Sequence, residues 1–162
     1  MIHSYYSSPI GELLLTGNGH QLVGLYTAEH VRLPVEIGLR SDAEFADVHR
    51  QLDEYFGGNR VSFDLPLAPR GTEFQRQVWQ QLQAIEFGST RSYRQLASRI
   101  GNSEAVRAVG LANGRNPISI IIPCHRVIGS NGALTGYAGG LSVKQWLLTH
   151  ERTVASRLAQ AG

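Results

Sequence analysis

Cys124 is the only cysteine in the chain, and it sits in the run Ile120-Ile121-Ile122-Pro123-Cys124-His125-Arg126-Val127. A thiol attacks as the thiolate, and an unperturbed cysteine, with a pKa of about 8.5, is mostly protonated at neutral pH. A nucleophilic Cys124 therefore needs a base, and the base needs a group to orient it. His125 is next to it, but neighbouring side chains seldom face each other, so a water would have to bridge them. His150 is a competing base, and Glu151 is a carboxylate able to orient an imidazole. The bland alternative makes Cys124 a small core hydrophobe, because free cysteine is among the most buried residue types.

The elements around these residues decide between the two. Three β-branched isoleucines predict a short buried strand. Pro123 should end it and hand Cys124 to a loop. Upstream, Ser92-x-x-Gln95 predicts a capped helix running to Ile100, with Gly101 as its stop. Asn102 or Ser103 then caps a second helix carrying Ala105, Val106, Arg107, Ala108, Val109, Gly110, Leu111 and Ala112. Two helices about a short Gly-containing turn form a helix-turn-helix pattern. Ala105, Ala108, Gly110 and Ala112 would let the second helix approach a partner closely, with Arg107 as its one long side chain; the plainer reading makes them ordinary helix formers. Downstream, Gly136-Tyr137-Ala138-Gly139-Gly140 lacks the phosphate-loop and dinucleotide patterns and is read as a ligand-adapting loop. Ser142-x-x-Gln145 predicts a last helix with Val143, Trp146 and Leu147 inward. Glu151 falls near its expected end, with a frayed tail from Arg152.

The first part of the chain reads as β. Ile2–Ser7, Glu12–Thr16 and Gln21–Tyr26 are short apolar runs separated by Ser8-Pro9-Ile10-Gly11 and Gly17-Asn18-Gly19. Thr27 to Arg40 has no clear period. Ser41-x-x-Glu44 predicts a helix stopped by Gly57-Gly58, and Val61, Phe63, Leu65 and Leu67 alternate as a strand. Thr72-x-x-Gln75 predicts another capped helix, with Phe74, Val78, Leu82 and Ile85 on one face.

Charge divides the chain at Ala68-Pro69-Arg70-Gly71. Residues 1–68 carry a formal −5 and residues 69–162 a formal +7, for +2 in total. That asymmetry points the second domain at an anionic partner, most simply nucleic acid. All its cations but Lys144 are arginines, suited to multi-donor phosphate contacts. With 42% apolar and 17% charged residues the composition is that of a folded protein rather than a disordered one. No apolar run approaches the roughly 20 residues of a membrane span. The absence of a signal-like start and the lone cysteine predict a reducing, cytoplasmic location and exclude a cysteine-rich structural zinc site.

In order and spacing, several motifs resemble the O6-alkylguanine-DNA alkyltransferases over nearly the whole length. They are Ser8-Pro9-Ile10-Gly11, Arg70 to Gln75 with Val78-Trp79, Thr90-Arg91-Ser92-Tyr93, Arg107 with Ala108-Val109-Gly110, Asn116-Pro117, Pro123 to Val127 and Gly136 to Gly140. The resemblance implies an α+β chain: an RNase-H-like N-terminal α/β domain, residues 1–68, then a mainly helical domain, residues 69–162, with a helix-turn-helix. It implies irreversible, stoichiometric transfer of the alkyl group from O6-alkylguanine to Cys124, and leaves activity on O4-alkylthymine open. His125 would be the base acting through water, Glu151 its orienter, and Tyr93 would push the phosphate and donate to the flipped base. The second helix would enter the minor groove, only about 6 Å wide, and its small residues would then serve close approach. Arg107 would fill the place of the extruded nucleotide. Ala105, Ala108, Gly110, Ala112, Asn113 and Arg126 would face DNA, and Asn116, Tyr137, Gly136, Ser130 and Val127 would line the pocket. No cofactor or metal is implied. The partners expected are alkylated double-stranded DNA and no membrane, with a monomer in solution and room for cooperative binding on DNA. Glu86 stands where relatives usually carry proline, which would loosen the segment before Tyr93. A cysteine hydrolase using Cys124, His125 and Glu151, or a regulator using the helix-turn-helix alone, are the other readings. A lesion binder without repair activity is disfavoured by the cysteine.

Overall fold

The computed structural model describes residues 1–161. Three strands open the chain: β1 (Ile2–Ser8), β2 (Gly11–Gly17) and β3 (Leu22–Thr27). They form an antiparallel meander, and β4 (Leu39–Arg40) adds a short parallel edge beside β1, giving the order β3-β2-β1-β4. The first hairpin turns at Ser8-Pro9-Ile10-Gly11, where the Ser8 hydroxyl donates to the Gly11 carbonyl and Gly11 has φ +103°. Leu13, Leu15 and Leu25 point to the covered face, where α1 (Ala46–Phe56) adds Val48, Leu52 and Tyr55.

Helices dominate from α2 (Glu73–Gln83) onward. Both bonds of the predicted capping boxes form at Thr72/Gln75 and at Ser92/Gln95. The second opens α3 (Tyr93–Arg99), and Gly101 stops it with φ +81°. α4 (Val106–Gly114) packs on α2 and α3, with Val109 and Ala112 buried. The residue pairs of β5 (Arg91–Ser92) and β6 (Val127–Ile128) lie parallel, and α5 (Leu141–Ala161) closes the chain.

The two halves share one continuous core. It runs from Leu15 and Leu25 through Tyr55 to Val78, Trp79, Leu96, Ile118, Ile122 and Leu147. The free edge of β3 is covered twice. Leu22 exchanges backbone hydrogen bonds with Pro66 and Ala68, and Leu25 does so with Pro117 and Ser119, all at 2.8–3.1 Å. An exposed strand edge would invite pairing with another chain, so this cover is also a stabilising device.

Several expectations fail, each for a visible reason. Ser41 does not cap a helix: its N–H donates to His3, residues 42–45 form a 3₁₀ turn, and α1 starts at Ala46. Residues 61–67 form no strand and make only the Leu67 bridge, because the Gln51 side chain occupies the N–H and C=O of Asp64. Ile120–Ile122 are buried yet form no strand. They curl around Asn116, whose amide donates to the Ile122 carbonyl and accepts from the Ile118 N–H. Ile120 is left at φ +73°, a conformation costly for a β-branched residue. Neither Asn102 nor Ser103 caps α4, whose N-cap is Ala105. Ser142 lies inside α5, and the expected frayed tail is helical to Ala161. Glu151 is therefore mid-helix rather than near the helix end.

Candidate active site

Cys124, His125 and Arg126 form a single 3₁₀ turn between Pro123 and β6. Three residues per turn set successive side chains about 120° apart, so thiol and imidazole diverge. His125 and Arg126 turn toward α5. There the His125 Nε2 is 2.7 Å from Glu151 Oε2, and the Arg126 guanidinium donates to Oε1 (2.7 Å) and Oε2 (3.0 Å). The third Arg126 nitrogen donates to the Ile85 carbonyl at 2.7 Å. A third donor reaches the carboxylate from the other half of the chain: the Tyr55 hydroxyl lies 2.6 Å from the same Oε2. All four groups are buried.

Burial pushes the Glu151 carboxyl up, but His125 and Arg126 outweigh it and hold the carboxyl well below the usual carboxylate range. A carboxylate accepts, so the neutral His125 carries its proton on Nε2 and leaves Nδ1 an acceptor. Nδ1 is buried without a hydrogen-bond partner among the described residues. Burial, aided by Arg126 and Lys144, lowers the imidazole pKa against the pull of Glu151. A neutral His125 is thus favoured near pH 7, as a base requires.

Cys124 is 5% exposed. Burial raises its pKa, opposed by Asn116, by the Lys144 charge and by Tyr137. Cys124 is therefore protonated at rest and depends on a base to react. Tyr137 is adjacent to Cys124 and Ser119, but its buried hydroxyl has no hydrogen-bond partner among the described residues. Gly139 permits this packing: a Cβ there would come within 2.8 Å of the Tyr137 ring.

Tyr93 starts α3 and donates to the Thr135 carbonyl at 3.2 Å. Lys144 Nζ donates to the same carbonyl at 3.0 Å and to Val127 at 2.6 Å. Its pKa is lowered to about 8 by burial, against the pull of Cys124. Gly136 passes close to the Tyr93 hydroxyl, and Gly110 close to its ring. Val127 is buried, whereas Ser130 is exposed on the turn beyond β6.

Not every residue expected at the DNA lies on the surface. Arg107 and Ala108 are exposed on α4, together with Leu111, which is 68% exposed. Ala105 is half-buried at the N-cap. Ala112 faces inward, its carbonyl accepting from Trp79 Nε1 at 2.8 Å. Asn113 is buried and donates to the Cys124 carbonyl at 3.4 Å, which places it with the thiol. Arg126 is corrected from a DNA contact to the buried partner of Glu151. Asn116 supports the Cys124 loop from inside. His150 is no alternative base: its Nε2 donates to the Tyr55 carbonyl and its ring stacks on Trp146.

Sequence reasoning missed Tyr55 and Lys144. Tyr55 reads as one more apolar position of an amphipathic helix. Lys144 gave a weak signal, as the one lysine of an arginine-rich chain beside the inward Val143 and Leu147.

Two family models cover nearly the whole chain. Residues 1–69 match the 6-O-methylguanine DNA methyltransferase ribonuclease-like domain, and residues 73–153 match its DNA binding domain. A methylated-DNA–protein-cysteine methyltransferase of Methanosarcina acetivorans is 48% identical over 153 residues, covering 93% of this chain and 98% of the relative. One from Mycobacterium leprae is 49% identical over 154 residues, covering 94% and 93%. The crystal structure of Mycobacterium tuberculosis OGT in complex with DNA superposes with a TM-score of 0.92 at 45% identity, covering 95% and 94% of the two chains. The chain belongs to the 6-O-methylguanine DNA methyltransferase family.

Proposed function

We propose that the protein repairs O6-alkylguanine in duplex DNA by taking the alkyl group irreversibly onto Cys124. The observation that carries this reading is a buried cysteine followed directly in sequence by a histidine that has one nitrogen bonded to Glu151 and the other buried and without a hydrogen-bond partner among the described residues. Cys124 gives its proton to His125 Nδ1 through a water, and Glu151 holds the resulting imidazolium. The thiolate attacks the alkyl carbon in line with the C–O6 bond. The S–C bond forms as the C–O bond breaks, and the electron pair leaves with guanine. Tyr93 supplies a proton to the leaving base; burial raises the phenol pKa, so it arrives protonated. O4-alkylthymine offers the same alkyl–oxygen bond and is proposed as a second substrate.

An alkyl group on a base edge is out of reach inside a duplex, so the nucleotide must be extruded. Arg107, exposed on α4, would occupy the vacated place in the stack, and α3 and α4 would act as a helix-turn-helix. The small side chain of Ala108 beside Arg107 on α4 allows the close approach that the minor groove requires. The family relation and the OGT–DNA complex support this reading. The protein is proposed to act as a cytoplasmic monomer.

A thioether carries no activated carbonyl for water to attack, so the thiol is not regenerated. Intact mass after incubation with excess methylated duplex should show one added methyl per molecule, on the Cys124 peptide. Repair should stop at about one lesion per protein. Continued turnover with unmodified protein would instead establish a hydrolase.

A further inference from the structure

We infer that Tyr55, on the first half of the chain, is a positioning residue for the transfer, because its hydroxyl and His125 share one oxygen of Glu151. The inference rests on the proposed role of Cys124 and His125. Tyr55 Oη lies 2.6 Å and His125 Nε2 2.7 Å from Oε2, while Arg126 divides its donors between the two oxygens. The Tyr55 hydroxyl and one Arg126 nitrogen draw electron density from the oxygen on which the imidazole leans. Burial and Glu151 keep the phenol well above its ordinary pKa, so it donates at any working pH.

Its setting is rigid. The ring is fully buried and packs edge-on to Phe56 and Phe87. Its carbonyl is held by His150 Nε2 at 2.9 Å, and two turns further along α5 Arg157 donates to the Gly58 carbonyl at 2.6 Å. The charged and titratable groups acting on His125 are Glu151, Arg126 and Lys144. Cys124 is its covalent neighbour, and Tyr55 acts on it through Glu151 alone. The first half thus sets the strength of the base in the second.

Removing the hydroxyl leaves Oε2 a stronger acceptor. The imidazolium is then better stabilised, the His125 pKa rises, and less neutral base is present at a given pH. The test is the single-turnover rate of transfer from free O6-alkylguanine as a function of pH, with no DNA present. Tyr55→Phe keeps the ring and should move the rising limb to higher pH by about half a unit or more. Placing 3-fluorotyrosine at position 55 keeps the hydroxyl and makes it a stronger donor, so the limb should move to lower pH. This second variant decides the matter even if Tyr55→Phe folds poorly. Midpoints unchanged from wild type in the folded variants, with the alkyl group still appearing on Cys124, would overturn the role of Tyr55. Wild-type protein whose Cys124 stays unmodified in the same assay would instead overturn the underlying reading of the site.

Discussion

Cys124→Ser removes the nucleophile while changing shape little, since a hydroxyl is scarcely ionised at neutral pH. It should abolish alkyl transfer, read by mass, and leave binding to methylated duplex within a few-fold of wild type. Transfer at a near-wild-type rate would sink the assignment. Arg126 separates two roles by a stability measurement. If it served DNA, Arg126→Ala would leave the fold alone. The structure makes it the bidentate partner of a buried carboxylate, and breaking such a pair costs roughly 3–5 kcal/mol. Denaturant unfolding should show a loss of that order. The same pair gives an acid limb. The Glu151 carboxyl is depressed in the folded state, so its contribution is present above the unfolded pKa, about 4.3. It disappears as pH falls through the folded value. Wild-type stability should therefore decline below about pH 4, and Glu151→Gln should flatten part of that decline from a lower starting stability.

Arg107 is best argued with its helix. α4 buries Val109, Ala112 and Asn113 and presents Arg107, Ala108 and Leu111 outward. If Arg107 holds the extruded state, Arg107→Ala should slow repair of duplex DNA far more than transfer from the free base, because extrusion costs a few kcal/mol. Equal slowing on both substrates would make it a folding residue. Elements were legible where the local signal was self-sufficient. The Thr72 and Ser92 capping boxes, the Gly101 stop and the short apolar strands β1 to β3 between their turns all depend on residues close in sequence. They were illegible where a distant partner intervened. Asn116 curls Ile120–Ile122 away from a strand, and Gln51 takes the backbone groups that residues 61–67 would need for pairing. The last helix is expected to end near Glu151 because chain termini commonly fray, whereas α5 runs to Ala161 and Glu151 is held mid-helix by His125, Arg126 and Tyr55. Cys124, His125 and Glu151 could be proposed as a set from their chemistry; Tyr55 could not, because its partner lies 96 residues away.

On the scale of the whole molecule, charge and core follow different boundaries. Formal charge changes sign near residue 69, yet one apolar core spans both halves. Arg94, Arg99, Arg107 and Arg115 are exposed on the second half and form no ion pair among the described residues. Each such arginine placed on a phosphate releases a counterion, so affinity for duplex DNA should fall steeply between 50 and 200 mM salt. A flat titration would move the DNA face elsewhere. The depth of the thiol bears on something other than speed. A reagent that can act only once must survive intact until its lesion arrives. Oxidation by peroxide and mixed-disulfide formation both start from an accessible thiolate. At 5% exposure, with its pKa raised by burial, Cys124 presents almost none to the solvent. The closed, protonated resting state is therefore a form of storage: it preserves the molecule's single equivalent of reactivity until an alkylated substrate reaches the thiol.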